Sequence, residues 1–167
     1  MAMVWKVLMD DHLKVEQMFL RYEKGETSLV PAIIEELEIH DKIESEVVYP
    51  QVAPLLRDWI MEAEDEHEKV RDIIEQIGEL EPGDPLEGKL MQRLHRRVKN
   101  HADREERVMF PVLKRQLENE SYEMGRNAFT IRQEELTARE NRAVRSDNFL
   151  KLPTAGWRKG KVVEGGW

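Results

Sequence analysis

The chemistry of this chain of 167 residues rests on its histidines and on two glutamates that follow histidines at fixed spacing. In the stretch HADREERVMFP (101–111), His101 and Glu105 stand four positions apart, so on a helix they stack on one face. Leu90, Leu94 and Val98 lead into that face, and Val108 and Val112 continue it. An imidazole and a carboxylate therefore fall inside a core-facing stripe. An ionised carboxylate buried without a partner is costly, so its position asks for a compensating cation. The pattern recurs. His40 and Glu44 fall on the stripe of Ile33, Leu37 and Val47, His12 on Leu8, Val15 and Phe19, and His67 on Ile60, Ala63, Val70 and Ile74. Nitrogen and oxygen donors without thiolate suit iron, manganese or zinc. Inward Glu and His in a helical bundle are one way to hold a carboxylate-bridged metal pair.

Four helical patterns must position these groups, spanning about 3–23, 28–56, 58–79 and 85–118. Gly25 ends the first, Pro50 and Pro54 are expected to kink the second, and the breaker EPGDP (81–85) separates the last two. Short connections between long helices imply an all-α, antiparallel up-down-up-down four-helix bundle. The heights agree. His12 lies 13 residues before Gly25 and His40 lies 15 after it, while His67 lies 16 before Gly83 and His101 lies 18 after it. At about 1.5 Å per residue, the histidines reach one layer. A half-hidden repeat supports this: Asp10-Asp11-His12-x-Lys14-Val15 matches Asp65-Glu66-His67-x-Lys69-Val70, and each is followed by His-x-x-x-Glu. Residues 1–118 are expected to form the bundle and 119–167 an appendage, with a charged helix over 120–145 (Phe129, Leu136, Ala143) and a linker-like tail from Phe149.

Composition narrows the classes. The chain has no cysteine, which excludes disulfides, thiolate metal sites and a cysteine nucleophile. No run of 18 apolar residues occurs, so a membrane partner is not expected, and the absence of a leader-like N-terminus points to the cytoplasm. Residues 1–118 hold 27 acidic against 17 basic side chains, which disfavours nucleic acid as a partner. His95, beside the Leu94 stripe, reads as a solvated surface histidine. Asp10, Asp11, Asp65 and Glu66 could orient imidazoles, with surface charge the favoured role for at least half of them. Tyr49 and Phe110 read as packing residues, and Met18, Met61, Met91 and Met109 as core filler.

The ordered set His12, His40-x-x-x-Glu44, His67, His101-x-x-x-Glu105, with Tyr49-Pro50 and Phe110-Pro111 behind the glutamates, resembles the hemerythrin-like (HHE cation-binding) domain family over about residues 5–118. That resemblance implies two non-haem irons, bridged by an oxo or hydroxo group and by Glu44 and Glu105. His12 and His40 would bind one iron, and His67 and His101 the other. Oxygen-carrying members have a second histidine one turn away on the third helix, where this chain has Ala63 and Arg71. Asp41, directly after His40, is the candidate additional metal ligand. The implied function is reversible binding of O2, with NO as a further ligand, for sensing, storage or signalling. The alternatives are iron handling (storage, sensing or iron–sulfur repair) and a di-iron peroxide or NO reductase. No catalytic residue outside the ligand set is legible. FLKLPTAGW (149–157) resembles the linker behind hemerythrin domains of sensor-like proteins, implying a downstream signalling domain or protein as partner.

Overall fold

A computed structural model describes the backbone of residues 2–150 and the side chains through residue 146. Its elements are α1 (Val4–Glu23), a 3-10 turn (Thr27–Leu29), α2 (Val30–Ile43), a π turn (Glu44–Val48), α3 (Tyr49–Gly78), α4 (Leu86–Arg115) and α5 (Glu118–Leu150). No strand occurs among the described residues. The chain divides into one compact unit ending at Glu134 and a second from Glu135 onward.

The first unit is a four-helix bundle built on the periodic stripes. The turn after α1 uses Gly25, whose φ of 108° lies where a side chain is strained, and the reversal before α4 uses Gly83 at φ 83°. The Asp84 side chain accepts a hydrogen bond from the Leu86 N–H at 2.8 Å, which fixes the turn leading into α4. The second reversal lies inside α3, where Leu56 leaves helical geometry (φ −137°, ψ 45°), so residues 30–55 form the second rod and 57–78 the third. Pro50 and Pro54 precede that break. α1 packs against α2 and α4, and α3 against α4, closing a ring of four rods.

Phe19, Ile33, Ile73, Met91 and Leu94 form the dry core at the end of the bundle near Gly25 and Gly83. Each such side chain contributes on the order of 1.5–3 kcal/mol through removal from water. Two expectations change here. Met61 is 61% exposed, so it is not core filler, whereas Met18, Met91 and Met109 are buried. On α5 the buried face is Ser121, Met124, Gly125 and Ala128, while Phe129 is 63% exposed. Small residues let α5 lie close to the chain beneath it: a side-chain carbon at Gly125 would run into the Ala2 carbonyl. The tail beyond Leu150 lies outside the described residues.

Candidate metal centre

Each rod delivers one histidine inward. His12 comes from α1, His40 from α2, His67 from α3 and His101 from α4, with Glu44 and Glu105 one turn after the second and fourth. Both carboxylates are fully buried. Ligand atoms of His12, His40, Glu44 and Glu105 lie within 4.8 Å of one another, and so do those of Glu44, His67, His101 and Glu105. The two groups share both glutamates. His95 and Asp41 belong to neither.

The imidazoles have a common orientation. Nδ1 of His12 meets Glu106 Oε1 at 2.9 Å, and Nδ1 of His40 meets Asp11 Oδ2 at 3.2 Å. Nδ1 of His67 meets Asp41 Oδ1 at 2.7 Å, and Nδ1 of His101 meets Glu66 Oε2 at 2.8 Å. A carboxylate on the outer nitrogen fixes the proton there and leaves Nε2 with its lone pair facing inward. Those inner nitrogens crowd together, with His67 Nε2 only 2.8 Å from His101 Nε2. His12 Nε2 and Glu105 Oε2 are 3.2 Å apart yet neither makes a hydrogen bond, and Glu44 Oε1 is also without a partner. Buried lone pairs that face one another and stay unpaired are what a cation would satisfy. The His and Glu cluster is compatible with metal binding.

In the absence of a cation, protons take its place. Burial lowers the His101 pKa, but Glu105, Glu44 and Glu66 outweigh that and push it up to about 12. His40 follows the same logic: burial opposes its charge, and Glu44 and Asp11 override it, holding it well above the usual range. Burial raises the Glu44 carboxyl, and His40, His101 and His67 more than reverse this, holding it well below its usual value.

Around this centre stands a ring of cations that the sequence did not assign. Arg71 donates to Asp41 at 2.6 Å, Arg104 donates to Glu66, and Arg132 donates to Asp11 at 2.6 Å. Of the four acidic residues beside the first and third histidines, Asp11 and Glu66 anchor imidazoles, while Asp10 pairs with Lys6 and Asp65 with Lys69 on the surface. Both oxygens of Asp41 are engaged, one by His67 and one by Arg71, which places it outside the cluster behind the His67 ring. Glu106 was missed because it is adjacent to the glutamate already singled out and points to a different helix.

Tyr49 departs most from the expectation of simple packing. Its hydroxyl donates to Glu105 Oε1 at 2.9 Å and lies 3.2 Å from His67 Nε2 and 3.4 Å from Glu44 Oε2. Burial, then the charges of Glu44 and Glu105, hold the phenol well above its ordinary range, so it remains a hydrogen-bond donor. In a regular helix residues five apart diverge by about 140°. The π turn bonds the Tyr49 N–H to the Glu44 carbonyl, which brings Tyr49 back toward the Glu44 face. Phe110, its counterpart, is buried and stacks on the His12 ring at 5.7 Å, a packing role. His95 is not a solvated surface residue: it stacks on Phe19 at 4.5 Å, with Glu16 and Glu23 each 2.8 Å from a ring nitrogen.

On the side of the imidazoles facing the dry core lies a cleft of about 340 Å³, walled by Val15, Leu37, Val70, Ile74 and Val98, with Asp41, Glu38, Arg71 and Glu75 also lining it. The four cluster histidines form part of its lining.

The hemerythrin HHE cation binding domain model matches residues 3–113, and again residues 60–151. The chain belongs to that family. The second match begins in α3, where the second hairpin of the internal repeat also begins. No curated protein and no solved structure matches the chain. No helix among the described residues is long and apolar enough to cross a membrane.

Proposed function

We propose that the chain holds two non-haem irons and binds O2 reversibly at them, with NO as a second diatomic ligand. Support for the metal pair comes from the two four-residue groups that share Glu44 and Glu105. In this reading His12 and His40 would hold one iron and His67 and His101 the other, with Glu44 and Glu105 shared between the two groups. Glu106, Asp11, Asp41 and Glu66 hold the rings from behind, so Asp41 acts as an orienting group and not as a seventh ligand. When bound, a reduced iron pair would supply electrons and an open coordination position for a diatomic ligand.

The protein supplies the rest. Ala63, one turn before His67, offers no donor, so each side is left with two histidines and the two shared carboxylates. The Tyr49 hydroxyl is a neutral donor beside the cluster that would hydrogen-bond a ligand gaining negative charge by turning from Glu105. Val15, Val70 and Val98 line the cleft beside the imidazoles and limit bulk water there, which favours release of the ligand unchanged over its irreversible reduction. This arrangement suits storage, sensing or signalling, and a downstream signalling partner would read the liganded state.

Anaerobic reduction followed by air tests the reading. About two irons per chain are expected, with a visible absorption change that reverses on removing oxygen. A single zinc would defeat the metal pair. Steady consumption of peroxide or NO with a reductant would replace the binding function by an enzymatic one. Structural loosening on chelation without any gas response would favour iron handling.

A further inference from the structure

The two hairpins of the repeat support their histidines in unequal ways. In each, the acidic residue just before the first histidine anchors the second: Asp11 takes His40 Nδ1, and Glu66 takes His101 Nδ1. In the second hairpin, Glu66 is held by Arg104, three residues after His101 on the same helix. The equivalent position in the first hairpin is Ile43, a buried aliphatic residue. Asp11, only 8% exposed, would therefore face the interior without a cation from its own hairpin. Its cation comes from α5. Arg132 donates one nitrogen to Asp11 Oδ2 at 2.6 Å and another to Glu36 Oε2 at 2.8 Å, and Glu36 is likewise 8% exposed. Lys14 also reaches Glu36, but among the described residues the cations at Asp11 are Arg132 and the His40 ring that it orients.

We infer that Arg132 is a positioning residue for the His12/His40 half of the metal centre, so that docking of α5 sets how tightly that half holds its metal. Two observations carry this. The first is the forked ion pair from α5 to the carboxylate behind His40. The second is the close seat at Gly125, which fixes the register that brings Arg132 over Asp11. The chain of contacts runs from α5 through Arg132 and Asp11 to the His40 ring. The coupling is reciprocal, because a ligand that tightens one site through a second must itself be tightened by it. Metal on the His12/His40 side therefore stabilises the docked part of α5. The inference rests on the two-metal reading of the centre.

The test uses the full chain loaded with ferrous iron and then challenged with excess chelator. Arg132→Met should speed loss of one of the two metals by about 10–100-fold and leave the other at the wild-type rate, as removing an outer partner of a ligating histidine does. Arg132→Lys should restore part of the difference, because one ammonium can still pair with Asp11. Gly125→Val, which touches no group in the centre, should reproduce the fast phase, whereas Arg104→Met should accelerate the other metal. Amide exchange on the wild-type chain gives a readout independent of any variant's folding: stripping the metal should speed exchange over residues 118–134. Wild-type protein with two metals, a single release rate in Arg132→Met and unchanged exchange in α5 would overturn the inference. Equal acceleration of both metals with a lowered melting temperature would also overturn it, as a general loss of stability. Wild-type protein that retains no metal would instead refute the metal reading itself.

Discussion

The behaviour of single residues follows from which nitrogen of each imidazole is held from outside. Glu106 takes the outer nitrogen of His12 at 2.9 Å and so sets that ring's tautomer and angle. Glu106→Gln is expected to weaken metal affinity by about 10–100-fold without changing helix content, measured by competition with a chelator of known affinity. Asp41 supplies a pH signature. Burial opposes its charge, yet the His67 and Arg71 contacts lower its pKa from 3.8 to about 2. A folded-state pKa below the unfolded one stabilises the protein above the unfolded value. That stabilisation drains as pH falls toward 2. Urea denaturation of the metal-stripped chain between pH 2 and 6 should therefore show a fall in stability below about pH 4. Asp41→Asn should flatten part of that fall and leave the remainder to Glu44 and Glu66, which are also held low.

At the scale of the helical elements, regularity is interrupted where the cluster needs it. α2 passes into the π turn at Glu44, so Glu44 and Tyr49 approach the same centre, whereas α4 carries Glu105 and Phe110 through a continuous helix to different neighbours. Packing between α1 and α4 depends on a polar staple as well as the apolar stripe. His95, on α4, stacks on Phe19 and pairs with Glu16 and Glu23, all three on α1. His95→Gln loses the stack and at least one ion pair. It should lower unfolding free energy by about 1–2 kcal/mol in chemical denaturation, with metal content unchanged. A loss of metal in that variant would place His95 in the centre, contrary to its pairing with Glu16 and Glu23 outside both ligand groups.

For the molecule as a whole, the first compact unit carries a layer of buried ionisable groups alongside its dry core. Native-state ligation of that layer feeds directly into folding stability. At a free metal concentration 100 times the dissociation constant, binding adds about 2.7 kcal/mol per site. Chelation should lower the melting temperature and reduce helical circular dichroism, and adding iron back should restore both. Equal melting curves with and without metal would mean that the layer is stabilised by its protons alone. Because imidazole protons must leave before a metal enters, metal affinity should also rise with pH across the neutral range.

Apolar spacing in the sequence made the four rods, their turns and the inward placement of six polar groups legible, because the 3.6-residue period reports which face of its own helix a residue occupies. His12, His40, Glu44, His67, His101 and Glu105 could be aligned in height by counting residues from Gly25 and Gly83. What the count could not supply is the rotation of one helix against another. The Glu106–His12 and Asp41–His67 pairs, the staple at His95 and the reach of Arg132 to Asp11 all join different helices. Tyr49 was hidden for a related reason: one π turn shifts the phase on which the pattern depends. Periodicity is a property of each helix alone, whereas partners across the bundle are chosen by packing, which only the assembled rods decide.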